Sequence, residues 1–103
     1  MRSHPLKHVI DGITRRHLSG NKTTFAHYHF EEGAVLPMHQ HDHEQITYIV
    51  KGCFKMTVID KEYVLKEGDM LLIPSNLVHG AVALEETVVV EAFSPPREDW
   101  ESS

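Results

Sequence analysis

The chain holds one cysteine, Cys53, so no internal disulfide can form and a small disulfide-stapled scaffold is excluded. Long apolar runs are missing too: stretches such as 70–73 and 88–90 fall far below the ~18 residues that a membrane-spanning helix needs. Basic charge is scarce. Ten Lys plus Arg against 15 Asp plus Glu leave a formal charge of −5, which offers nothing general to nucleic acid or to an anionic membrane, so neither is an expected partner. No apolar stripe of helical period runs beyond about two turns, and neither a repeat nor a low-complexity linker interrupts the chain. The start, Met1-Arg2-Ser3-His4-Pro5, lacks the apolar stretch of a signal peptide; with the lone cysteine, this sets a cytoplasmic expectation.

What is present is β-forming. Val, Ile, Thr, Tyr and Phe gather in short runs punctuated by Gly, Pro, Asn and Asp, which place strands at 13–19, 23–30, 45–51, 53–60, 62–66, 70–73, 78–83 and 86–93. About eight closely spaced strands must curl to hide their edges, so the expected fold is an all-β barrel or jelly roll, one domain over residues 1–103. Within the fourth run Phe54, Met56 and Val58 alternate with Lys55 and Thr57, marking one core face. The runs 70–73 and 88–90 are apolar throughout, as expected of strands covered on both sides. Only the tail, 94–103, with Pro95 and Pro96, leaves the pattern.

Histidine is over-supplied: nine, at 4, 8, 17, 27, 29, 39, 41, 43 and 79. In an extended strand His39 and His41 leave the same face about 7 Å apart and can converge on one ion, and Gln45 has the same parity. His79 lies in a separate run, after Pro74-Ser75-Asn76, where folding could bring it opposite. Three imidazoles and one amide oxygen suit a first-row divalent metal with positions left for water or substrate. His4, His8 and His17 read as solvated N-terminal residues. His27 and His29 share a face that parity alone does not assign to interior or exterior, and His43 reads as a rim or supporting residue.

These residues resemble the two motifs of the cupin superfamily. Gly33, His39, His41, Gln45 and Gly52 stand at the spacing of the first motif (33–52), with Gln45 where a Glu is usual. Gly68, Pro74 and His79 match the second (68–79), with Asn76 in place of a glycine, a tolerable exchange because Asn also enters the left-handed region. The resemblance implies a cupin jelly-roll barrel and a divalent transition metal (Ni, Mn, Fe or Zn) on His39, His41, Gln45 and His79. With Gln45 rather than a carboxylate, the ion would keep a charge near +2 and favour anionic ligands.

A second cluster closes the sequence. Glu91 and Phe93 share parity and Arg97 follows Ser94-Pro95-Pro96, so a carboxylate, a ring and a guanidinium can gather at the barrel mouth. Spacing alone leaves open whether they form an edge-strand surface with a tail ion pair. The ending Glu91-Ala-Phe93-Ser-Pro-Pro-Arg97, with His39-Gln-His41-Asp-His43-Glu-Gln45, resembles the pectin-degradation cupins, which linearise 4,5-unsaturated uronates. That resemblance implies catalytic roles for Glu91, Phe93 and Arg97 and a small anionic carbohydrate substrate, although the family's acid is Asp, one methylene shorter than Glu91. The alternatives are a cupin dioxygenase and a non-catalytic sugar-binding or sensing module. Apolar strands with too little cover also point to a homodimer, the segment before Gly20 being free to add to a neighbour's sheet edge.

Overall fold

In most strands the side chains alternate between a buried and an open face, and that alternation sorts the chain into two antiparallel sheets around a shared interior. The computed structural model describes residues 5–101. The larger sheet comprises β1 (Lys7–Ile10), β2 (Ile13–Ser19), β3 (Thr24–Phe30), β5 (Glu44–Lys51), β8 (Met70–Ile73) and β10 (Thr87–Ser94), in the order β1-β2-β3-β10-β5-β8. The smaller comprises β4 (Val35–His39), β6 (Cys53–Val58), β7 (Lys61–Lys66) and β9 (His79–Ala83), in the order β4-β9-β6-β7. A single helical turn, α1 (Glu98–Glu101), follows β10. Among the described residues no helix is long and apolar enough to cross a membrane.

All eight expected strands are present, with ends displaced by two residues at most. The largest displacement, at the end of β6, follows from Ile59, whose φ of 58° turns the chain before residue 60. β1 and β4 were not anticipated. β4 contains Pro37, which cannot donate to a ladder, and its register with β9 is irregular between Leu36 and His39. β1 pairs with β2 within the chain, and β2 with β3, so the segment before Gly20 belongs to its own sheet, with β1 as that sheet's edge strand.

Phe30 and Phe54 meet edge to face at the centre of the core, 4.7 Å between centroids, with Ile13, Ile49, Met56 and Val89 buried around them. The expectation that 70–73 is covered on both faces fails within the chain: Met70 is 67% exposed and Leu72 53%. They belong to an outer face on which Leu18, Phe25, Ala92, Ile46 and Leu72 stand opposite one another across five strands.

Candidate functional site

The cross-strand register decides what meets at one end of the interior. On the inward face of the larger sheet, His17, Ala26, Glu91, Thr47 and Leu71 form one row, and Ser19, Thr24, Phe93, Gln45 and Ile73 the next. The smaller sheet brings His39 opposite His79 at the same end. Two local features make that pairing possible. The irregularity between Leu36 and His39 breaks the strand's alternation and turns His39 inward. Gly80 lets β4 approach β9 closely, since a Cβ there would stand 2.8 Å from the Leu36 carbonyl oxygen and 3.0 Å from the Met38 nitrogen. Asn76, at φ 66°, takes the left-handed position expected of it just before His79.

His39, His41 and His79 converge, their ligand atoms all within 4.8 Å of one another. The route differs from the sequence expectation: His39 ends β4, and His41 lies in the irregular link to β5 rather than on the same strand. Each Nδ1–H donates to a backbone carbonyl, that of Pro37, His43 and Leu77 respectively, at 2.8, 3.1 and 2.8 Å. A carbonyl only accepts, so Nδ1 carries the proton and each neutral ring presents a bare Nε2. Gln45 is oriented by its amide nitrogen, which donates to Thr47 Oγ1 at 2.9 Å and Glu91 Oε2 at 2.8 Å. Its Oε1 therefore faces His41 Nε2, 3.1 Å away.

That last contact tests whether a metal fits. His41 can donate from only one nitrogen while neutral, so one of its two contacts sets lone pair against lone pair. Charging the ring would relieve this, but burial and the nearby Arg97 charge hold its pKa down at about 4. His79 Nε2, buried and without a hydrogen-bond partner, has the same deficiency, and burial lowers that ring's pKa as well. A cation shared by these lone pairs satisfies all of them, so the donor set fits a divalent metal, with Gln45 Oε1 placed to join it.

Behind the imidazoles lies a buried carboxyl. Glu91 Oε2 accepts from Thr47 Oγ1 at 2.7 Å as well as from Gln45, and burial pushes its pKa up to about 7 despite those bonds and the Arg97 charge. It is enclosed rather than at an open mouth. Phe93 packs on His41 at 5.7 Å, and the Arg97 guanidinium lies 4.8 Å from the Phe93 ring and 4.2 Å from Trp100. Carboxyl, ring and guanidinium thus do gather. Arg97 itself is buried, yet its fork is engaged by the half-exposed Asp99, through Nε at 3.0 Å and Nη2 at 2.8 Å. Its backbone N–H donates to Thr24 Oγ1 at 2.8 Å, which ties the tail to the sheet.

A cavity of about 300 Å³ opens beside the cluster, bounded by Arg15, Tyr28, Leu36, His39, Arg97 and Trp100 among others. Arg15, Tyr28, Thr47 and Trp100 were not singled out from the sequence. The available signal was parity: Arg15 and His17 share the inward face with Ile13, and Thr47 with Gln45 and Ile49. His17 is accordingly not solvated but half-buried, its ring 5.1 Å from Trp100. His8 is exposed as expected, and His4 lies outside the described residues. His27 and His29 face outward, where His29 pairs with Glu86 at 2.7 Å. His43 is buried behind His41, its Nε2–H donating to the Pro96 carbonyl at 3.2 Å, so it braces the tail against the link and is not a member of the cluster.

Comparison with known proteins adds a family. The cupin domain model matches residues 26–94. The pectin degradation protein KdgF of Dickeya dadantii (strain 3937) is 35% identical over 99 residues, spanning 93% of this chain and 90% of that protein. The structure of KdgF from Halomonas sp. superposes with a TM-score of 0.88 at 36% identity, over 94% of this chain and 91% of that one. An RmlC-like cupin from Shewanella frigidimarina NCIMB 400 gives 0.89 at 31% identity, over 94% and 88%.

Proposed function

The chain belongs to the cupin family and is a relative of the KdgF proteins, and from that premise we propose that it acts in pectin or alginate breakdown as a metal-dependent enzyme linearising 4,5-unsaturated uronates. The observation that carries the reading is the meeting of Gln45 with both halves of the site: its oxygen faces the three-histidine cluster and its nitrogen binds the buried Glu91. His39, His41, Gln45 and His79 would hold the ion. When bound, a divalent cation supplies Lewis acidity toward substrate oxygens.

Ring opening of such a sugar is an isomerisation: the anomeric hydroxyl loses a proton, the ring C–O bond breaks, and the enolate released gains a proton at carbon to become a ketone. No oxidant is required. A single group that accepts and returns a proton near neutrality suffices, and Glu91, with its pKa at about 7, is the proposed one. Phe93 forms an apolar wall, and Arg97 is the proposed partner of the uronate carboxylate, which would replace Asp99 on the guanidinium fork. The test is turnover of a 4,5-unsaturated uronate by purified, metal-loaded protein. Arg97→Lys keeps the charge and loses the second parallel hydrogen bond, so turnover should fall about tenfold, or about 1.4 kcal/mol. Metal content and thermal stability should stay near wild type, because Asp99 is half-exposed and the ion pair is worth only about 0–1 kcal/mol. No turnover by wild type would end the substrate reading and leave the fold untouched.

The proposed setting is cytoplasmic and the proposed assembly a homodimer, supported by the apolar row from Leu18 to Leu72 on the outer sheet face. Light scattering at micromolar concentration should give about twice the chain mass of 11.8 kDa. A mass near that of one chain refutes the pairing.

A further inference from the structure

Arg15 has no assigned role in the site, yet it is placed to have one. It projects from the inward face of β2, stands opposite Tyr28, and lines the same cavity as His39. Its guanidinium carbon lies 3.7 Å above the Trp100 ring, and the side chain is only 9% exposed. Among the described residues no carboxylate pairs with it, and its Nε is buried without a hydrogen-bond partner. The guanidinium donates a hydrogen bond to the Tyr28 oxygen, but a neutral hydroxyl and a ring face replace only part of the hydration a buried charge has lost.

The site's own acids are engaged elsewhere. Glu91 is bound by Gln45 and Thr47, and Asp99 holds the other arginine of the cavity, Arg97. Among the described residues, the cavity thus has one guanidinium paired with a carboxylate and one that is not. Tyr28, whose hydroxyl stays protonated because burial and Glu91 both raise its pKa, cannot serve as that counter-charge but can donate a hydrogen bond beside it.

We propose that Arg15 is a second carboxylate-binding residue of this cavity, which, with the Tyr28 hydroxyl, selects acidic sugars over their neutral counterparts. The proposal rests on the uronate reading for the kind of acid, and on the geometry for the residue. Arg15 and Arg97 line the same cavity, so Arg15 would hold the ligand carboxylate together with Arg97 once that carboxylate has displaced Asp99.

The experiment uses metal-loaded protein with two non-reacting probes, D-galacturonate and D-galactose, followed by calorimetric titration. Wild type should bind the acid at least tenfold more tightly than the neutral sugar. Arg15→Gln should lose that preference, and Arg15→Lys should recover part of it, because the charge returns without the planar fork. A third variant separates recognition from architecture. Arg15→Met, which keeps the stacking bulk and removes the uncompensated charge, should lose the preference while melting at or above the wild-type temperature. Equal binding of galacturonate by wild type and Arg15→Gln overturns the proposal, as does failure of wild type to prefer the acid. The uronate reading fails separately: wild type that prefers galacturonate through Arg15 but turns over no unsaturated uronate keeps this residue's role and loses that activity.

Discussion

The two ends of the same interior are built on opposite terms. At one end Phe30, Phe54, Ile13, Ile49, Met56 and Val89 fill the space between the sheets, and the buried Thr87 opposite Phe30 gives its hydroxyl proton to backbone carbonyl oxygen. At the other, the same strands present His39, His79, Gln45, Thr47, Glu91 and Arg15 to one another. The change occurs within single strands: two steps along β10 turn Val89 into Glu91, and two steps along β2 turn Ile13 into Arg15. Burial is similar at both ends, so what differs is the kind of energy stored. The apolar end contributes transfer free energy and packing, whereas the polar end holds groups whose hydration has been lost and only partly replaced. Stability and chemistry are thereby assigned to neighbouring parts of one set of strands.

Substitutions at each end should therefore fail in different ways. The largest loss of stability is expected from Phe54→Ala, which opens a cavity against Phe30 and should cost about 3–5 kcal/mol in denaturant unfolding. At temperatures where it remains folded its metal content should match wild type; loss of metal in the folded variant would mean that the two ends are not separable. At the polar end, His39→Ala or His79→Ala should abolish an occupancy of about one divalent ion per chain and the accompanying rise in melting temperature. Once both proteins are stripped of metal, His79→Ala should melt near wild type, because the ring it removes has an unsatisfied nitrogen. Full occupancy surviving both substitutions would rule out the cluster as the metal site.

The effect on stability with a distinctive pH signature belongs to Glu91→Gln. The folded carboxyl ionises at about 7, above its ordinary 4.5, so the unfolded chain releases that proton first. This group's contribution to stability is thus complete below pH 4.5 and is lost as pH rises to about 7. The His41 ring, held down at about 4, works in the opposite sense over much the same range, so wild type alone shows a partial cancellation. The difference between Glu91→Gln and wild type removes it: in metal-free protein the variant should gain stability relative to wild type from pH 4.5 to 7 and hold that gain above. A difference flat across this window would place the charge of Glu91 elsewhere. Turnover by the same variant should vanish, since the shape remains and the titrating group does not.

Much of this was open to inspection in the sequence. Strand positions follow from period-two alternation and turn residues, which are local, and eight of the strands were legible for that reason. The four residues around the proposed ion were legible from spacing, since His39, His41 and Gln45 are close in the chain and His79 follows the turn at Asn76. β1 and β4 were not, because each is short and takes its place from the partner it pairs with rather than from its own pattern. The reason why His39 points inward also lay beyond the sequence: parity put it on a face with His41, whereas an irregular register and a close approach at Gly80 accomplish it.

The sequence by itself determined which residue types were available at inward parity, and hence that one end would be polar. Parity assigns a side chain to a face but not to a neighbour, and neighbours across strands are fixed only by register between segments far apart in the chain. Tertiary structure alone decided that Gln45 would lie between an imidazole and a carboxyl, that Asp99 would take the fork of Arg97, and that Arg15 would share the cavity of Arg97 without a carboxylate partner among the described residues.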